Sequence, residues 1–457
     1  MSPFPPLLLC ALLWSPPSAT QVATQAELPQ QASAEEVPRV WTVQERVAID
    51  LLRGLRKKER PPDAELASRL ADSGNSLLPF LFEVLMARAV PAHDESKPQV
   101  LSETQENVIL LAVGQLDRNL VLGHVAAQMT LGQEPERRLA ALACVGATGR
   151  GNDFPALFDL ALPAGEQELD RRREQALRRA VTSILASDPK GFEQLTYLRR
   201  ITRPELLPTL VSAVGDTHAR EGLTFLSEVA YWHPRLILDV MCQVRLVGLS
   251  SVESVNDVMR LRLRPYLDEA QPGHCRAAIM ALTTLEDQDS IGPMIALLGS
   301  EDSGLRENAH WALRTLTGLA LSPSQETWAR WHQAELAWLL RQKPKEFQRL
   351  RADDAGQAAA ALREILTHPL AKDELATALP ELLHNRWPAV RVLACGTLAD
   401  LGANECVPKL VWALEDSDPD VARAAHSALR RLTGQDLPRD PTTWQVATNT
   451  QPRGTEL

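Results

Sequence analysis

WPAVRVLACGTLADLGANECVPKLVWALEDSDPDVARAAHSALRRLTG, residues 387 to 434, carries one pattern twice. From Val390 the residues at +4, +8 and +11 are Ala394, Leu398 and Leu401; from Val421 they are Ala425, Leu429 and Leu432. At about 100° per residue these offsets fall on a single stripe of a helix. The stripe needs a partner surface, and the small Ala at +4 lets a neighbouring helix come close. Two further copies start at His274 (Ala278, Leu282, Leu285) and Leu305 (Ala309, Leu313, Leu316). Starts 274 and 305 lie 31 residues apart, as do 390 and 421, and the second pair follows the first by 116 residues. Sliding 297–328 onto 413–444 superposes Asp302 on Asp418, His310 on His426, Leu313 on Leu429, Thr317 on Thr433, Gly318 on Gly434 and Trp328 on Trp444. The chain therefore contains an internal duplication built on a 31-residue unit.

A second signal marks a partner helix. Pro followed two residues later by Leu or Ile occurs at Pro79, Pro155, Pro208, Pro293, Pro380 and Pro408. Proline is tolerated in the first turn of a helix, where its missing N–H has no intrahelical acceptor, so each site is expected to open one. Asp188, Ser322, Asp418 and Asp440, each followed by proline, are expected to cap helices, and Gly318 and Gly434 to end them in the left-handed conformation.

With these residues in view the sequence resembles the HEAT-repeat family, in particular its short-repeat bacterial type. The resemblance is carried by residues 387–414 and by DPDVARAAHSALRRLTG (418–434); it covers 267–445 well and about 66–270 loosely. It implies an all-α fold, an α-solenoid of stacked antiparallel helical hairpins. It also implies that Arg306 and Arg391 join loop aspartates in a ladder between repeats, interrupted where Ala422 and His384-Asn385 depart from the pattern. In such arrays the Pro-x-Leu helices usually line the inner face, which makes Lys409, Trp412 and Glu415 candidate partner-binding residues.

Composition agrees with a folded helical chain: 45% of the 457 residues are hydrophobic and only 5% aromatic, with Leu and Ala filling the apolar positions. Residues 7–14 (LLLCALLW) form an apolar run too short to span a bilayer as a helix, followed by Pro and small residues. Residues 1–26 are read as a signal peptide, which makes the protein periplasmic or secreted, and 27–40 as a linker. A divergent helical-repeat region is expected over 41–270, HEAT-like repeats over 271–445 and a polar tail over 446–457. Five cysteines lie beyond the signal, with no CxxC spacing, and read as small buried hydrophobes; a Cys395–Cys406 bridge across one hairpin is the single disulfide considered.

No catalytic, cofactor or metal site is expected. Among the motifs, WARWHQAELAWLL (328–340) puts Trp328, Trp331 and Trp338 on one helical stripe, a candidate partner-binding or self-association surface; the alternative is a connector helix that seals a break in the array. Asp416, Asp418 and Asp420 alternate like a calcium loop, but Val421 replaces the required Gly and Ser427 the closing Glu, so capping is the better account. Gly146, Gly149 and Gly151 are read as a hairpin turn. The repeated His310 and His426 are read as hydrogen-bonded structural histidines. Basic clusters at 53–60, 171–179 and 199–203 are interleaved with acids in a chain of formal charge −10, which favours solvated faces over a nucleic-acid site. The functional expectation is an exported, non-catalytic scaffold that binds a protein or peptide. A bilin-lyase-like enzyme and a nucleic-acid-binding solenoid are the alternatives.

Overall fold

The computed structural model describes residues 39–55, 61–92, 97–198, 203–268, 270–352 and 354–448. The expected signal peptide, most of the expected linker and of the basic cluster at 53–60, Arg199, Arg200 and the end of the expected tail lie outside them. The described residues form an all-α solenoid of twenty-four α-helices in two layers. Its first layer runs through Asp63–Ala71, Glu103–Val113, Pro135–Thr148, Arg171–Ser187, Leu207–Asp216, Ile237–Val247, Pro272–Thr284 and Ser303–Thr317, each stacked on the next. A second layer, including Phe154–Ala161, Gly191–Leu198, Gly222–Trp232, Glu253–Leu263 and Ile291–Leu297, closes the hairpins. After the helix Gln325–Arg341 the array resumes with Ala355–Leu366, Pro388–Asp400 and Pro419–Thr433 in one layer and Lys372–Leu382, Val407–Ala413 and Pro441–Thr448 in the other. Among the described residues strand structure is confined to a two-residue ladder, Ala89–Val90 against Gln99–Val100.

The repeat stripes are the core. Ala309, Ala394 and Ala425 are fully buried, as are Leu313, Leu398 and Leu429, so neighbouring helices meet over the small residue of each stripe. Gly146 takes this furthest. It is a buried helical residue and not part of a turn, and a Cβ there would stand 2.6 Å from both Cα and Cβ of Ala180 on the next first-layer helix. The turn itself belongs to Gly149 and Gly151.

Most helix ends follow the expected chemistry. Asp418 accepts the Asp420 N–H, Asp440 the Thr443 N–H at 2.8 Å, and Gly318 and Gly434 are left-handed at φ 71° and 68°. Three expectations need correction. The cap of Gln325–Arg341 is Ser324, which accepts the Thr327 N–H, and not Ser322. Asp188 accepts the Gly151 N–H from the neighbouring hairpin instead of capping its own helix. Pro380 lies inside the helix Lys372–Leu382, near its end, and opens nothing.

Aspartate–arginine rungs tie successive repeats: Arg118–Asp153, Arg178–Asp216, Arg264–Asp287, Arg276–Asp302 and Arg391–Asp416. Arg391 holds both Asp416 oxygens, at 2.7 and 2.8 Å. Arg306 instead donates to the Ser300 and Glu301 carbonyls of its own loop, because the long connector helix follows where the next repeat would supply an Asp. All five described cysteines are free; Cys395 and Cys406 are buried and unbonded.

Candidate functional site

Three first-layer helices line a groove of about 1010 Å³. The middle helix, Pro135–Thr148, forms the floor with Leu139, Ala140, Ala143, Gly146 and Ala147. One wall is Glu103–Val113, whose Leu111 is 47% exposed; the other is the stripe Arg172, Ala176, Arg179, Ala180 and Ser183. The floor is recessed because its residues are small, and small because the helices on either side approach closely.

The charges gather at one end, where the first turns of these helices lie. Arg172 meets Glu136 at 2.8 Å. Arg179 reaches over the floor to Glu103 at 3.5 Å and Glu106 at 3.9 Å on the opposite wall, and Arg88 approaches Glu106 at 3.4 Å. Arg88 is one of three non-glycine residues with positive φ among the described residues, at 50°, a conformation that costs a side-chain-bearing residue energy. The opposite end is uncharged, lined by Leu110, Leu111, Gly114, Ala143, Ala147 and Ser183. The groove thus offers an apolar floor beside a network of guanidiniums and carboxylates, suited to a polypeptide segment with both kinds of side chain.

Lys409, Trp412 and Glu415 belong to or follow the second-layer helix Val407–Ala413. The Pro208 helix, conversely, stacks in the first layer. Lys409 and Glu415 are exposed and Trp412 half-buried, at the far end of the chain from the groove.

Trp328 is fully buried and so presents no surface to a partner, which corrects its place among the binding candidates. It packs edge-on against Trp331 at 5.6 Å and near His310. Trp331 and Trp338 are half-buried. The helix is a connector. The two repeated histidines are clasps: His310 Nε2–H donates to the Leu321 carbonyl at 2.9 Å and His426 Nε2–H to that of Leu437 at 2.7 Å, each pinning the segment after the helix-ending glycine. Near the basic 171–179 cluster, Arg172, Arg173, Arg178 and Arg179 all face carboxylates. Burial pushes the Cys144 and Cys395 thiols up to about 12, leaving them unreactive. Among the described residues no group of three or more His, Cys, Asp or Glu is placed to hold a metal ion. Asp416, Asp418 and Asp420 are taken by Arg391, the helix cap and Arg423. No single described helix is long and apolar enough to cross a membrane.

Residues 375–442 match the family model for HEAT repeats. That segment carries HEAT repeats. Among solved structures the chain is similar to the karyopherin Kap121p bound to the extreme C-terminus of the protein phosphatase Cdc14p, at 13% identity and a TM-score of 0.37, covering 91% of this chain and 48% of that one. A Kap121p mutant gives 14% identity, a TM-score of 0.35 and coverage of 90% and 48%. The chain spans about half the length of these structures. No curated protein matches it.

The groove was not legible beforehand. The signal that marks it is the run of small residues along one helix, Ala140, Ala143, Gly146 and Ala147, of which only Gly146 stood out in the sequence, as part of a hairpin turn.

Proposed function

We propose that this chain is a non-catalytic HEAT-repeat scaffold that holds a segment of another protein in the first-layer groove over Pro135–Thr148, and that it works outside the cytoplasm, periplasmic or secreted. The observation that carries the reading is the groove: a recess of about 1010 Å³ between first-layer helices, apolar at one end and charged at the other. A rigid array supports the role, because stacked helices already hold the surface in its binding shape and little ordering opposes association. Export is supported by the apolar run at residues 7–14 and the small residues after it.

The test is a photo-crosslinking amino acid at Leu111 in the groove wall and, separately, at Lys409, in the native cells. Mass spectrometry then identifies the captured species and the mature N-terminus. One dominant protein captured from position 111 and not from 409, with the chain trimmed between residues 18 and 27, is the expected result. Capture from 409 alone, or nucleic-acid-associated proteins with Met1 retained, refutes it.

A further inference from the structure

Two hydrophobic cores meet on one helix. Buried residues from Ala48 to Trp328 form a single cluster, and those from Phe347 to Trp444 a second. The connector Gln325–Arg341 belongs to both: Trp328 and Trp331 pack in the first, Trp338 and Leu339 against the second. The turn Pro369–Ala371 returns the exchange, with Leu370 against the first core and Ala371 inside the second. Extensive first-layer stacking ends at Ser303–Thr317 and is not continued onto Ala355–Leu366.

A carboxylate closes this seam. Glu335 lies on the connector between Trp331 and Trp338 and is 3% exposed. It accepts the His368 Nδ1–H at 2.7 Å and the Leu370 N–H at 3.2 Å. The His368 ring lies flat on Trp338, centroids 3.5 Å apart, and its Nε2 stands 3.6 Å from Glu364. Farther out, Gln288 donates to Asp373 at 2.7 Å on the surface. A buried carboxylate adds little net stability, but one whose partners are withdrawn is heavily penalised, so it selects one arrangement of its surroundings. Apolar contacts alone let two cores slide; this group does not.

We propose that the seam is a latched hinge: the arm beginning at Lys343 turns relative to the groove-bearing arm when Glu335 releases His368 and Leu370, and the latch sets the angle between them. The proposal holds whatever the groove binds.

Cys242 is exposed while the other four described cysteines are buried, so in a Cys10→Ser, Lys409→Cys background two dyes report the separation of the arms by single-molecule energy transfer. The unaltered latch should give one narrow distance distribution. Glu335→Gln and His368→Ala should give a second population, and the amides of His368, Leu370 and Ala371 should exchange about tenfold faster while those of the first core keep their rates. Unchanged distributions in both variants, or faster exchange spread evenly over the chain, overturns the hinge. Should neither variant fold, exchange in the unaltered protein decides: the seam amides must open more readily than both cores, and equal protection refutes the proposal.

Discussion

Gly146→Ala and Gly123→Ala put the same methyl group inside two helices, and the structure gives them opposite signs. At Gly146 the new Cβ lies 2.6 Å from two carbons of Ala180. Carbons in contact prefer about 3.5–4.0 Å, so Pro135–Thr148 and Arg171–Ser187 must part by about 1 Å. Overpacking of this kind costs about 1–3 kcal/mol, and the better helix propensity of Ala returns about 1 kcal/mol. The net expectation is a loss of about 1 kcal/mol, up to ~2 kcal/mol. Gly123, in Arg118–Leu131, is exposed and has nothing within 4 Å of its would-be Cβ. There Ala gains about 0.5–1 kcal/mol. Urea unfolding followed by circular dichroism, with midpoints compared at equal slope, measures both. A stabilised Gly146→Ala, or midpoints shifted equally in both variants, would refute the claim that the groove floor is set by contact of these two helices.

Trp444 Nε1–H donates to the Pro438 carbonyl at 2.9 Å, whereas the Trp328 Nε1 is buried without a partner, so Trp444→Phe should cost about 1 kcal/mol more than Trp328→Phe in matched denaturant melts. Arg391→Ala removes both bonds to Asp416 from a pair whose side chains are 11% and 13% exposed; a loss of about 2–3 kcal/mol is expected, and a loss no greater than that of Arg423→Ala on the surface would contradict the rung's role. Thiol titration of native Cys10→Ser protein should find one fast cysteine, Cys242, with Cys144 and Cys395 reacting only on unfolding. The Glu166 carboxyl is held below its usual range by hydrogen bonds first from Arg173 and then from Arg138. A depressed carboxyl stabilises above its unfolded pKa, about 4.3, and that contribution fades as pH falls through the folded value. Glu166→Gln should therefore lower the melting temperature slightly at pH 7, and the difference from the unaltered protein should close toward pH 3; a gap that widens in acid would reverse the sign.

The fold was legible because its determinants are local and repeated. A stripe such as Val390, Ala394, Leu398 is dictated by helix period, and a 31-residue recurrence fixes which stripes stack. What failed was whatever depends on a neighbour. Pro-x-Leu says that a helix begins, not which layer it joins, so Pro208 misled; at Pro380 the preceding residues were already helical. Ser322 and Ser324 are chemically equivalent caps, and only the path of the loop past the His310 clasp chooses between them. Gly146 looked like a turn because glycine's use in close helix approach is visible only once Ala180 is opposite it.

Duplication explains why the tryptophans invited a binding role and why the structure gives them another. In both copies the helix ends at a left-handed glycine, the chain runs on to a leucine whose carbonyl takes the histidine N–H, and the tryptophan closes over that histidine, with ring centroids 6.3 Å apart for His310–Trp328 and 6.1 Å for His426–Trp444. The same motif thus terminates each half. In the second copy the helix Pro441–Thr448 is a short lid over the core. In the first, the lid is extended into seventeen residues that continue past the seal and reach the second core, and Glu335 sits in the added part. A capping element lengthened in this way joins two arrays without fusing their cores. That is why the three tryptophans line one stripe yet serve two clusters, and why a charged group is tolerated between them.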